Sequence, residues 1–355
     1  MKKLFSAAAL ALALALALAL SLSACGAAAP QSETRTVYAM DTVMNLTAYG
    51  GDAAAALESA EKELHTLDKA VLSRTAEGSE LYALNAANGE TVRFGAEDAL
   101  PALIETALAI SEATNGAFDP TLAPVLDAWG FTKDTRRVPS DDELAELLRH
   151  TGRDQVACTH TADGWAVALS DGAQLDLGGI AKGYAADLLR AQLEEEGVTS
   201  ATLDLGGDVF VMGKKSDGSD WRIAVKDPAD TESYLGILTA SDAFIVTSGA
   251  YERYFEENGV RYHHIIDPKT GRPAESGLVS VTVVCENGSW ADALSTACFV
   301  LGADGALALR GDLAAQGTNF ELIFVTDDGR VRYTGGLANA FTPNAESGYA
   351  YEALA

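Results

Sequence analysis

Asp176-Leu-Gly-Gly-Ile-Ala-Lys-Gly183 brings a carboxylate, three glycines and an ammonium together within eight residues. Ala173 to Leu177 alternates as a strand does, and Ala181 to Glu196 holds helix formers without proline up to Gly197, a C-terminal cap. Gly178 to Gly183 therefore falls where a helix starts. There the first N–H groups lack internal partners and the macrodipole is positive, so a phosphate can approach, helped by glycines that present no Cβ. Lys182 adds a full positive charge, and Asp176 can hold a ligand donor or a metal-bound water. An ordinary strand-to-helix turn has the same composition, so the stretch alone leaves both readings open. It is not a P-loop, because Lys182 precedes Gly183 and Tyr184 where that motif requires Gly-Lys followed by Ser or Thr.

Other residues could join such chemistry. Ser289-Trp-Ala-Asp-Ala-Leu-Ser-Thr-Ala297 opens a helix ending near Gly302, and Asp292 and Thr296, four apart, offer hard oxygen from one helical face. Such pairs are common and by themselves mean little. In Tyr262-His-His-Ile-Ile-Asp-Pro-Lys-Thr-Gly-Arg-Pro273, strand alternation sets His263 and His264 on opposite faces, so that only one can face a pocket readily. The run Ala117 to Pro124 is too proline-rich for a regular element and reads as loop, and Phe118 within it reads equally as a ring-stacking group or a core anchor. Leu203 to Gly207 repeats Leu175 to Gly179 letter for letter. Its continuation into Asp208-Val-Phe-Val makes it a turn between strands and not a helix start.

The elements that must position these residues are legible in outline. Thr36 to Tyr49 reads as extended chain, and Asp52 caps a helix whose Leu57, Leu64, Leu67 and Val71 form a core face, with His65 beside it in a structural role. Ser79 is a candidate cap for a short helix from Glu80 to Ala87. A further helix runs from about Glu97 to Thr114, with Pro101 in its first turn. Ser140 and Glu143 form a capping-box signature for a helix ending near Gly152. Strands follow at Gln155 to Cys158, Trp165 to Leu169, Trp221 to Lys226, Leu235 to Thr239, Phe244 to Thr247 and Val279 to Val284. A helix over about Ala303 to Gln316 and strands Phe320 to Val325 and Val331 to Thr334 close the chain. Helices gather before Gly152 and antiparallel strands after it, without βαβ alternation, which predicts an α+β fold.

The formal net charge of −26, with acids scattered along the chain, excludes a nucleic-acid partner, whose phosphates demand a basic surface. Lys2 and Lys3 followed by an uninterrupted Ala/Leu run mark residues 1–24 as an export signal, long enough for a retained membrane helix to be the alternative. Leu22-Ser-Ala-Cys25 resembles a bacterial lipobox, which implies lipidation of Cys25 and a mature chain anchored by acyl groups on the outer face of the cytoplasmic membrane. Residues 25–36 read as a tether and 37–345 as one catalytic domain. Cys158, Cys285 and Cys298 form no Cys-x-x-Cys pair and read as buried thiols.

Taken together the motifs point further. Ala39-Met-Asp-Thr42, Ser79-Glu-Leu with Leu84-Asn85, Gly116-Ala-Phe-Asp-Pro-Thr121, Asp176 to Gly183, Leu205-Gly-Gly-Asp208, Thr247-Ser-Gly249, His264-Ile-Ile-Asp-Pro268 and Asp292-Ala-Leu-Ser-Thr-Ala297 occur in that order. From about Tyr38 to Gly335 the chain resembles the FAD:protein FMN transferases, the ApbE family of flavin-transfer lipoproteins. The resemblance implies an ApbE-like fold and a Mg²⁺-dependent enzyme that splits FAD, moves FMN onto a threonine hydroxyl of a partner flavoprotein of electron-transport or FMN-binding-domain type, and releases AMP. It implies metal contacts from the Gly179 carbonyl, Asp292, Thr296 and the Ser295 carbonyl, with Lys182 and the amides of the Gly-rich turn on the remaining phosphate charge. Met40, Ala117, Phe118 and Asp119 match flavin or adenine contacts, Asp176 a polar anchor, and His264-Ile265-Ile266 the wall near the transferred phosphate. His264 is the expected base, since an imidazole titrating near neutrality suits that task. An FAD pyrophosphatase and a non-catalytic flavin carrier are the alternatives. Asp41 departs from the family's usual Met-Gly-Thr and puts a carboxylate near a polyanion. Thr75 or Ala76 stands where many members have an aromatic.

Overall fold

The computed structural model describes residues 32–131 and 135–354. The expected export signal, Cys25 and the start of the expected tether lie outside the described residues. Nine strands form the central sheet: β1 (Ser32–Ala39), β2 (Thr42–Tyr49), β3 (Ser200–Asp204), β4 (Val209–Met212), β5 (Ala243–Gly249), β6 (Leu278–Cys285), β7 (Phe320–Thr326), β8 (Arg330–Tyr333) and β9 (Ala350–Ala353). Their order across the sheet is their order along the chain. Each neighbouring pair is antiparallel except β8 and β9, which run parallel. The tether expected over 25–36 therefore ends early, because Ser32 to Thr36 are already paired with β2. At the other end, β9 carries the sheet past the expected boundary at 345.

Seven helices accompany it among the described residues: α1 (Ala53–Thr66), α2 (Glu80–Asn85), α3 (Ala99–Ala113), α4 (Ala123–Trp129), α5 (Asp141–Leu147), α6 (Ala181–Glu195) and α7 (Gly288–Ala315). The molecule is α+β, with the first five helices before residue 150 and a mainly antiparallel sheet drawing most of its strands from the second half. Alternation sorts the sheet's side chains onto two covered faces. Phe244, Val246, Leu322 and Phe324 join Leu57, Leu64, Leu189, Leu294 and Phe299 of α1, α6 and α7 in the main core. Ile245, Ile323 and Val325 point the other way, against Trp221, Leu235, Leu238 and Phe341 of a three-stranded sheet built from Trp221–Lys226, Tyr234–Ala240 and Phe341–Pro343.

Local signals are mostly obeyed. Asp52 accepts the Ala55 N–H at the start of α1, which closes in a π-helical turn over Leu67–Val71. Pro101 sits early in α3, and α7 is two helical segments joined at Gly302, whose φ of 71° breaks the run. Cys285 and Cys298 are buried and Cys158 partly so, all as free thiols. Three expectations fail. Ser79 precedes α2 but donates to the Val71 carbonyl at 3.0 Å and caps nothing. Ser140 accepts the Glu143 N–H, yet the Glu143 carboxylate binds Arg137, so only half of the capping box forms. The proline-rich run after Gly116 is not loop throughout, since α4 begins at Ala123 with Pro124 in its first turn, where a missing N–H costs nothing.

Candidate active site

The approach to the Gly-rich turn is not the strand its alternation predicts. Gln174 makes one isolated bridge with Leu122, and the rest of the segment lies outside any sheet. Its backbone groups are satisfied in other ways. The Asn85 side-chain amide donates to the Leu175 carbonyl at 2.9 Å and accepts the Leu175 N–H at 2.8 Å, as a neighbouring strand would, while the Asp176 N–H donates to the Pro120 carbonyl. The Asp176 carboxylate accepts the Gly178 N–H at 2.7 Å and lies 2.9 Å from Arg74 Nε. Arg74 also reaches Asp127 of α4 at 3.1 Å.

The amides at the start of α6 are also in use. Ile180 and Ala181 donate to the Leu177 carbonyl, and the carboxylate of Asp292, on α7, accepts N–H bonds from Gly183 at 2.9 Å and from Lys182. Asp292 is thus the cap of α6, supplied from another helix. Of the amides expected to meet a phosphate, those of Gly178, Ile180, Ala181, Lys182 and Gly183 have protein acceptors in this structure. Lys182 is also matched: its Nζ lies 2.5 Å from Oδ2 of the buried Asp208. Burial opposes the Lys182 charge, but Asp208 and then Asp292 outweigh it and hold the ammonium above its ordinary pKa. Burial raises both carboxylates, Asp208 being drawn back by Lys182 and by the Thr247 N–H, and Asp292 being raised further by Asp208.

The crossing of α6 and α7 brings the remaining candidates together. A Cβ at Gly183 would fall 2.0 Å from the Gly288 carbonyl oxygen, so only glycine permits this approach. A Cβ at Gly179 would stand 3.5 Å from Thr296 Oγ1 and 3.3 Å from the Phe118 ring. Gly179, Thr296 and Asp292 therefore line one small region. Ser295 is fully buried; its Oγ donates to the Asp292 carbonyl, so in the 2.7 Å contact with Ser248 Oγ it is Ser248 that donates. No group of three or more His, Cys, Asp and Glu side chains suited to a metal occurs among the described residues. The donors present are a carboxylate, a hydroxyl and backbone carbonyls, a hard-oxygen set that fits Mg²⁺.

His264 adds a proton acceptor. Its Nδ1 lies 3.1 Å from the Arg253 carbonyl oxygen, which also accepts the His264 backbone N–H at 3.0 Å. A carbonyl only accepts, so Nδ1 carries the proton and Nε2 keeps its lone pair. The ring is only partly exposed, and desolvation by the surrounding protein pushes its pKa down to about 4, helped by the nearby Arg253 charge. His263 takes the opposite tautomer, with Nε2 donating to the Ala274 carbonyl at 3.2 Å and the ring edge-on to Phe299. Ile266 is buried in a satellite cluster with Leu122, Val125 and Trp129.

Phe118, 3% exposed, and Ala117 belong to the main core, so the ring is an anchor there. Asp119 Oδ1 accepts both the N–H and the hydroxyl of Thr121, and burial raises its pKa against those bonds. Met40 and Asp41, at φ 50° and 59°, form the two-residue turn between β1 and β2. This tip lies against a second turn, since a Cβ at Gly206 would meet Thr42 Oγ1 at 2.2 Å. Arg74, Asn85, Ser248 and the pairing role of Asp208 were not anticipated. Asn85 and Asp208 stand in quoted motifs, whereas Arg74 gave no signal because its partners are distant in sequence.

Comparison with known proteins places the chain in a family. Similar chains include the FAD:protein FMN transferase of Treponema pallidum, 36% identical over 335 residues, covering 89% of this chain and 90% of that protein. That of Haemophilus influenzae is 31% identical over 334 residues, covering 90% and 95%. Among solved structures, the ApbE protein of Thermotoga maritima matches with a TM-score of 0.79 at 34% identity, covering 87% of this chain and 99% of that one. The flavin transferase ApbE of Vibrio cholerae matches with a TM-score of 0.75 at 28% identity, covering 88% and 99%. A family model described as the ApbE family matches residues 40–318, and the chain belongs to that family.

Proposed function

We propose that this protein is an FAD:protein FMN transferase that uses Mg²⁺ to move FMN from FAD to a threonine hydroxyl of a partner flavoprotein. The observation that carries the reading is the end-to-end match to FAD:protein FMN transferases, which covers about nine-tenths of both chains. The site's chemistry supports it. Asp292, Thr296 and the carbonyls of Gly179 and Ser295 would hold the cation, which when bound would neutralise charge on the pyrophosphate. His264 Nε2 would take the proton of the acceptor hydroxyl as that oxygen bonds to the FMN-side phosphorus. The bond from this phosphorus to the bridging oxygen breaks, and AMP leaves with that oxygen. Lys182, fixed by Asp208 beside Asp292, keeps the carboxylates from acting as uncompensated negative charge against FAD. Met40 and the segment Ala117 to Asp119 would flank the flavin or adenine. Cys25 would be lipidated, holding the exported enzyme on the outer face of the membrane within reach of a membrane-associated acceptor.

The test is incubation of the mature domain with FAD, Mg²⁺ and a candidate acceptor, followed by a search for covalent flavin fluorescence on the acceptor. Labelled acceptor with one AMP per label is the expected result. FMN released without labelling would instead make the protein an FAD pyrophosphatase, and unchanged FAD a carrier.

A further inference from the structure

Arg74 has no assigned part in this chemistry, yet its guanidinium lies one residue's carboxylate away from the turn that approaches Thr296. Its side chain is only 14% exposed and divides between two acids, Nε at 2.9 Å from Asp176 and one terminal nitrogen at 3.1 Å from Asp127. Asp176 in turn spends its other oxygen on the Gly178 N–H at 2.7 Å. Main-chain contacts hold the segment Gln174 to Gly179 only at the isolated Gln174–Leu122 bridge and at the Asp176 N–H bond to the Pro120 carbonyl, and side chains hold much of the rest. Asn85 fixes Leu175, and the Arg74–Asp176 pair fixes the chain from Asp176 to Gly178. Beyond it comes Gly179, where an added Cβ would have Thr296 Oγ1 and the Phe118 ring as its closest neighbours.

We infer that Arg74 is a positioning residue which, by clamping the Asp176 carboxylate, fixes the Gly178-Gly179 turn against Thr296 and so sets the width of the cation site. The inference rests on the proposed reaction and names a residue on which its metal affinity depends. A guanidinium suits the task because its planar fork holds two carboxylates in fixed directions, which an ammonium cannot do. The pair is shielded from water by its own burial, so it is stronger than an exposed ion pair. Supporting groups of this kind commonly change metal affinity by about 10- to 100-fold.

The experiment compares wild type, Arg74→Ala and Arg74→Lys in the full mature chain by two readouts. The first is the Mg²⁺ concentration that half-saturates FAD cleavage. It is expected to rise about tenfold or more in Arg74→Ala, with turnover at saturating Mg²⁺ falling far less, and by an intermediate amount in Arg74→Lys. The second is hydrogen–deuterium exchange of the ligand-free protein, expected to accelerate across 176–180 in Arg74→Ala with α7 unchanged. A lowered melting temperature with the Mg²⁺ midpoint unmoved would make Arg74 a staple of stability only and overturn the inference, as would unchanged exchange at the turn. If Arg74→Ala does not fold, Arg74→Lys carries both measurements. If wild type neither cleaves nor transfers FAD, the proposed reaction falls, while the exchange measurement still decides whether Arg74 holds the turn.

Discussion

His264 shows how a backbone carbonyl can set the chemistry of a side chain. With Nδ1–H held by the Arg253 carbonyl, Nε2 is the only ring atom able to accept a proton. Its depressed pKa keeps it in that form well below neutrality. The acid limb of kcat/KM, which reports the free enzyme, should therefore lie near pH 4 and not near 6.5, and a plateau from about pH 5 to 7 in initial rates would agree. His264→Asn should lower transfer by about 10²- to 10⁴-fold while FAD binding, followed by flavin fluorescence, persists. Asp41 makes a second prediction. It occupies the left-handed position of a two-residue hairpin turn, where glycine is unstrained and an aspartate tolerates the geometry at some cost. Asp41→Gly should raise the urea midpoint by an amount equivalent to up to about 1 kcal/mol, and should tighten FAD binding more at low salt than at high salt. At this scale the candidate residues were legible as motifs, since Asp292, Thr296, Gly179 and His264 all belong to runs the sequence displays. The pairing of Lys182 with Asp208 was not legible there, because Asp208 comes from a turn between strands and no spacing rule links the two.

Between elements, the decisive contact is α6 on α7. Asp292 is at once the cap of α6 and a candidate metal ligand, and the two roles can be separated. Asp292→Asn keeps an oxygen for the Lys182 and Gly183 amides, so the fold should survive with Mg²⁺-dependent cleavage abolished. Asp292→Ala removes the cap as well and should cost a further ~1 kcal/mol in thermal or urea unfolding. Gly183→Ala sets helix propensity against sterics. Alanine in a helix is ordinarily favoured by up to about 1 kcal/mol, but here its Cβ would fall 2.0 Å from the Gly288 carbonyl oxygen. Overpacking should win, with a net loss of roughly 1–3 kcal/mol and a wider cation site. The two copies of Leu-Asp-Leu-Gly-Gly show where reading elements from sequence succeeds and fails. The copy at Leu203 is the strand turn its context implies, because Asp204 pairs with Val209 across it. The copy at Leu175 alternates like a strand and is none, because Asn85 and the Pro120 carbonyl answer its backbone in place of a neighbour. Alternation reports which side chains are buried, and Leu175 and Leu177 are, but not what completes the hydrogen bonds.

For the whole molecule, the distribution of helices and strands indicated the fold class and the motif order the family, while the sheet's two outer ends were not legible. Ser32 to Thr36 look like a polar tether, and Ala350 to Ala353 follow a region without periodicity; each is a strand only because an edge is there to receive it. The lipid anchor is expected from Leu22-Ser-Ala-Cys25 alone. Cys25→Ser should move the protein from the membrane fraction to the soluble fraction without changing the activity of the purified domain. The nine-stranded order carries a final consequence, for how the chain folds. Strands β1 through β9 lie in chain order, yet β2 ends at Tyr49 and its neighbour β3 begins at Ser200. The β1–β2 hairpin can zip locally in microseconds, but joining it to β3 closes a loop that contains six of the seven helices. Closing a long loop adds little equilibrium cost per extra residue, but such non-local contacts slow folding. The N-terminal hairpin should therefore add to the sheet late. Since its tip at Met40 and Thr42 abuts the Gly206 turn beside Asp208, the site would be the last part of the molecule to assemble.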